Sequence, residues 1–237
     1  MENELVKSES SAPVIGNPKS RAMENIDLED FVIPYIRLIQ KMSNTDGTDA
    51  KFGDITSSEG DKFLGNAEKP AKFVVVKTLP KTFTISKKDG SMFRWCGVEP
   101  WDASVSSQWF FERDGIEHKR EKTFHFYVMF EGDIAPSKIS LRGASTKCGA
   151  QIATNVIKLT SLGKDTWENF MSLKSKKISG DGKSYCVFLS DLVHQKDESE
   201  APSEDLQAKA KMWEELVSTK PNAIKEADEN AADEIPF

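Results

Sequence analysis

The sequence predicts a mainly β protein: a small barrel with one inserted helix, elaborated by a long loop or hairpin, then a C-terminal helix and a disordered acidic tail. Three observations lead there. Short runs rich in β-branched and aromatic residues recur between turn residues. A single helical period interrupts them late in the series. Composition and charge change sharply at both ends of the chain.

Residues 1–30 mix Glu, Ser, Asn, Pro and Lys without period and with few bulky apolar groups, so they cannot offset their ordering entropy. They are expected to form a disordered acidic arm. The folded domain is expected over 31–196. It begins in an extended, edge-like segment, because Pro34 excludes a helix interior. Strands are expected over 73–79, 82–86, 108–112, 123–130, 138–142, 173–178 and 184–189. The turn signals between them include Lys87-Lys88-Asp89-Gly90, Gly132-Asp133 and Gly180-Asp181-Gly182.

Between the fifth and sixth of these strands, Ser145 or Thr146 can cap a helix in which Cys148, Ile152, Val156 and Leu159 recur at spacings of three and four. A small barrel with one helix among its strands follows the plan of the oligonucleotide-binding (OB) fold, although strand number alone does not separate it from other small barrels. The remainder, 197–237, starts with a polar linker. An amphipathic helix follows over 203–217, with Ser203 as its cap and Leu206, Ala210, Trp213 and Val217 on one face. That stripe is expected to pack back on the body or on a second copy rather than on a foreign partner.

The formal net charge of -6 conceals a division of sign. Residues 197–237 hold 12 Asp or Glu against 4 Lys, and the first 30 hold 7 against 3 Lys or Arg, leaving 25 basic and 19 acidic residues between them. A basic body between acidic ends attracts polyanions, and a flexible acidic tail can compete for the same surface. No run approaches a membrane span, and the first 30 residues lack the order of a secretion signal, so a cytoplasmic protein without membrane contact is expected. Cys96, Cys148 and Cys186 are widely spaced and form no CxxC pair, which points to free thiols and to no metal. There is no P-loop, GxSxG, HExxH or glycine-rich dinucleotide turn, so neither an enzyme nor a cofactor is implied.

The last five residues, Asp233, Glu234, Ile235, Pro236 and Phe237, place an apolar tip on an acidic tether. Pro236 stiffens it, Phe237 can fill a small pocket, and its carboxylate suits an Arg or Lys beside that pocket. Acid-acid-Ile-Pro-Phe resembles the ending of bacterial single-stranded DNA-binding proteins, with Glu234 where Asp is usual. The resemblance implies capture of replication, recombination and repair proteins. The body is similar instead to a family of phage-encoded single-stranded DNA-binding proteins, through Ile33-Pro34 with Leu38 and Gln40, then Ser43, then Phe52-Gly53-Asp54-Ile55. That resemblance implies a phage protein working in the host cytoplasm beside host or phage replication proteins. Strand annealing, or a decoy that only occupies host repair enzymes, are the alternatives; a nuclease is a weaker one. A homodimer or larger oligomer stays open.

Gripping single strands without reading sequence takes cations for phosphates and rings for bases. Alternation along 123–130 puts Phe124, Phe126, Val128 and Phe130 on a core face and His125 and Tyr127 on the face left for DNA, continued by Lys138 and Arg142. The finger or loop over 87–122 adds Trp95, Trp101 and Trp109 with Lys87, Lys88, Arg94, Arg113, Lys119, Arg120 and Lys122, each Trp being as able to anchor the finger as to stack on a base. Lys174, Lys176 and Lys177 are further phosphate candidates, although a lysine-rich strand edge also discourages aggregation.

Overall fold

A computed structural model describes residues 32–41, 43, 49–59, 62–180, 183–193, 200–219 and 225–226. The expected arm, the turn at Asp181 and the tip at 233–237 lie outside the described residues. In chain order come β1 (Val32–Ile33), β2 (Ile36–Leu38), β3 (Ile55–Ser57), β4 (Phe63–Gly65), β5 (Ala71–Thr78), β6 (Thr82–Asp89), β7 (Met92–Pro100), β8 (Phe110–Arg113) and β9 (Ile116–Phe130). These are followed by β10 (Ser137–Leu141), helix α1 (Thr146–Ser161), β11 (Met171–Gly180), β12 (Lys183–Leu192), helix α2 (Glu204–Thr219) and β13 (Lys225–Glu226). Among the described residues the chain is mainly β, with two α-helices and with antiparallel sheets apart from the short parallel β1–β13 pair.

The 15-residue strand β9 is the spine of the molecule. Its second half pairs with β5 along one edge and with β10 along the other, inside the body. Its first half pairs with β6 and β8, and β6 carries β7, making a four-stranded finger that continues the body sheet. The turn from β8 to β9 is Asp114-Gly115 with both residues at positive φ (54° and 74°), the conformation a two-residue hairpin requires. The segment from 87 to 122, expected as a large loop or finger, is therefore a finger built mostly of strands, and β9 starts at Ile116 rather than at 123.

Two apolar layers flank the body sheet. On one face Phe73, Val75, Phe124, Phe126, Val128, Ile139 and Leu141 pack with Cys148, Ile152 and Leu159 of α1. Gly149 lets the helix approach: a Cβ there would lie 2.7 Å from the Phe124 side chain. On the other face Val74, Val76, Tyr127 and Met129 are covered by Leu206, Ala210, Trp213, Leu216 and Val217 of α2. The Ser203 hydroxyl accepts the Leu206 N–H at 3.2 Å, capping α2 as expected, and the Trp213 indole donates to the Ile134 carbonyl at 3.0 Å. Each large apolar side chain buried in this way contributes about 1.5 to 3 kcal/mol.

The residues that carry the family resemblance have structural work in this fold. The Gln40 carboxamide donates to the Cys186 carbonyl (3.0 Å) and accepts the Cys186 N–H (2.9 Å), tying the segment after β2 to β12. Ser43 Oγ accepts the Gln40 N–H at 2.9 Å. Gly53 sits at φ 94° with its Cα facing Cys186 and Ser175, and Asp54 accepts the Lys51 N–H. Ile55 is fully buried. Among the described residues no helix is long and apolar enough to cross a membrane.

Candidate nucleic-acid interface

Because side chains alternate along a strand, the pairing register assigns every finger residue to one of two faces. The face continuous with the α1-side core carries Phe83, Ile85 and Lys87 of β6, Glu99 and Arg94 of β7, Phe111 and Arg113 of β8, and His118, Arg120 and Lys122 of β9. The opposite face carries Lys88, Trp95, Val98, Phe110, Glu112, Glu117, Lys119 and Glu121.

On the first face cations alternate with rings. Arg113 lies over Phe111 (5.2 Å), Arg120 lies between Phe111 (4.2 Å) and Phe83 (5.2 Å), and Phe83 packs on Trp101 at 4.6 Å. Lys122 sits over Trp101 (4.7 Å) and Phe124 (4.5 Å), with Lys81 over the same two rings at 5.6 and 5.9 Å. Phe83, Ile85, His118 and Arg120 form a buried floor, while Lys81 and Trp109 are exposed and Trp101 and Lys122 half-buried. Burial and the neighbouring Lys81 charge hold the Lys122 ammonium below the ordinary lysine range. Arg113 is bound to Glu99 at 2.6 Å and Arg94 to Asp89 at 2.9 Å, but no described carboxylate pairs with Lys81, Arg120 or Lys122.

The opposite face is charge-compensated. Lys88 pairs with Glu117, Lys119 pairs with Glu121 at 2.8 Å, and Glu112 adds a further carboxylate. Exposed rings stand there as well: Trp95 (45 %) and Phe110 (55 %), with Phe93 5.8 Å from Phe110. The two faces thus differ less in rings than in unneutralised positive charge, and that charge is what a phosphate backbone requires.

The structure redistributes the expected contact residues. Tyr127 is a correction: it is 5 % exposed and lies beneath α2, because the face assigned to DNA is the second apolar layer. His125 on that same face acts as a strut, its ring bonded to Thr82 Oγ1 and Ser140 Oγ at 2.8 Å each. Lys138 is half-buried opposite Tyr127 and bridged to Tyr35, so it does not extend an open basic surface. Arg120, expected as a DNA contact, is buried in the finger. Lys88 and Trp95 lie across the sheet from Lys87, Arg94, Trp109 and Lys122.

Arg142 stands half-buried at the entry to α1, where the Thr146 hydroxyl donates to the Gly143 carbonyl at 2.6 Å with the Lys122 carbonyl 3.4 Å away, and Ser145 Oγ accepts the Phe188 N–H at 3.2 Å. The helix entry therefore joins the finger root to β12. On β11, Lys174 approaches Asp191 at 3.6 Å, Lys176 is exposed, and exposed Lys177 lies 5.7 Å over Phe52. Tyr185, 42 % exposed and opposite Ile178 on the same hairpin, is a further ring.

Lys81, Phe83, Phe111 and Tyr185 were not among the expected contact residues. The Asp114-Gly115 dipeptide could have revealed the β8–β9 hairpin, and with it the register that puts Phe111 beside Arg120.

Among the described residues no cluster of His, Cys, Asp and Glu could hold a metal ion. Burial pushes the Cys148 thiol up to about 12, with Asp191 adding to the shift, and raises Cys186 and Cys96 as well, so none of the three is an activated nucleophile. The chain matches no protein-family model, no curated protein and no solved structure.

Proposed function

We propose that this chain binds single-stranded DNA without reading its sequence, and that it offers its C-terminal Asp233-Glu234-Ile235-Pro236-Phe237 tip to other proteins of replication, recombination and repair. The observation that carries the reading is the finger face on which Lys81, Arg120 and Lys122 lie against rings with no carboxylate among the described residues to neutralise them. Such an array supplies both requirements of single-strand binding, positive charge for phosphates and flat apolar surface for bases, each stacked base contributing about 1 to 3 kcal/mol. An OB-like barrel is part of the same proposal. Its support is α1 inserted between β10 and β11, and the Gln40–Cys186 pair that joins β12 to the segment after β2. The tip rests on its sequence and on the resemblance to bacterial single-stranded DNA-binding proteins, and the phage assignment on the motif from Ile33 to Ile55.

Titration with an oligothymidine tract, following tryptophan emission, tests the reading. Quenching is expected, with affinity falling as salt rises at a slope near -0.7 per phosphate contacted, roughly the single-strand value. Duplex DNA of the same length should bind more weakly. An oligothymidine that leaves emission unchanged and fails to co-sediment in dilute buffer contradicts the proposal.

A further inference from the structure

We propose that Arg120 is a phosphate-binding residue held ready inside the finger, its guanidinium kept unpaired in the free protein so that a backbone phosphate of the bound strand can complete it. This inference rests on the single-stranded DNA reading of the same face. Arg120 is only 9 % exposed, and its Nε and Nη1 are buried with no hydrogen-bond partner among the described residues. No described carboxylate forms an ion pair with it. Asp102, the acid whose field reaches it, is already accepting the Ser104 N–H at 2.8 Å. Burying a charge without a partner is unfavourable, and replacing such a group by an apolar one of similar shape commonly stabilises a fold. An arginine retained in this state has a use outside the free protein.

The surroundings favour an oxyanion. The Phe83 and Phe111 rings lie 5.2 and 4.2 Å from the guanidinium carbon, and packing against them leaves the side chain little rotamer freedom to lose on binding. The Arg120 N–H donates to the Trp109 carbonyl at 2.8 Å, so exposed Trp109 stands beside it as a ring for a base. Lys122, two residues along and on the same face, supplies the next cation, about 7 Å away by strand spacing. Phosphodiester oxygens are matched to a planar nitrogen fork, which an ammonium at this position would not reproduce.

The test compares wild type with Arg120→Met, which keeps the apolar stem between the two rings and removes the charge. With oligothymidine at 0.1 M salt the variant is expected to lose about tenfold in affinity and to flatten the salt slope by about 0.7, one phosphate contact. The free variant is expected to melt about 3 °C higher, because an uncompensated charge has left the interior. A variant with unchanged affinity and slope and a lower melting temperature makes Arg120 a structural residue and overturns the inference alone. Wild type that ignores oligothymidine removes the function and the inference together. Should the Met variant fold poorly, Arg120→Lys decides: lower affinity with an unchanged slope is expected, and wild-type affinity contradicts a role for the fork.

Discussion

The two faces of the finger are made from the same four strands and carry similar numbers of rings, yet they handle charge in opposite ways. One sets Lys81, Arg120 and Lys122 against Trp101, Phe83, Phe111 and Phe124; the other sets Lys88 and Lys119 against Glu117 and Glu121. A cation held by a carboxylate has spent its field locally, whereas a cation held by a ring keeps most of it for a passing anion. On the proposed reading, the difference teaches that exposure alone is a poor guide to a nucleic-acid surface. Trp95 (45 %) and Phe110 (55 %) are about as exposed as Trp109 (50 %), but they stand where the charge is already balanced.

Reversing the charge of the uncompensated pair breaks the comparison most strongly. Lys81→Glu with Lys122→Glu should weaken oligothymidine binding about 100-fold at 0.1 M salt, measured by anisotropy, through two lost phosphate contacts and new repulsion. Neutralising the other face, Lys88→Gln with Lys119→Gln, should change affinity less than about threefold and leave the melting temperature nearly unmoved, since exposed ion pairs contribute little. Equal losses from both pairs would erase the distinction.

A smaller effect comes from Gly149→Ala. Its new Cβ meets the Phe124 ring that underlies Lys122, so about 2 kcal/mol of stability should be lost in a denaturant titration. Smaller still is the pH response. Burial and the Lys81 charge lower the Lys122 value, so its proton leaves before those of ordinary lysines as pH rises. Strand affinity should therefore begin to fall on the alkaline side earlier than ordinary lysines would dictate. Lys122→Arg, which stays charged, should remove that early fall in a pH series of titrations.

The sequence made legible what depends on local period. Phe124, Phe126, Val128 and Phe130 alternate at strand spacing and do line the α1-side core; Cys148, Ile152 and Leu159 recur at helical spacing and are buried; Ser203 does cap α2. What depended on distant parts of the chain stayed hidden. Nothing near Tyr127 announces that α2, arriving some 80 residues later, covers it. The first half of β9, Ile116 to Lys122, carries no strand signal because its two faces alternate one polar residue with another, leaving no hydrophobic period. For the same reason the ladder of rings and cations was invisible: Phe83, Trp101, Phe111 and Arg120 are dispersed along the sequence and become neighbours only through register.

Photocross-linking tests the asymmetry of the finger most directly. A bromodeoxyuridine-substituted single strand, irradiated in complex with the protein and mapped by peptide mass, should attach to Trp101 or Trp109. Attachment confined to Phe93, Trp95 or Phe110, or none at all at saturating strand, would contradict the assignment of the ring-paired face to DNA.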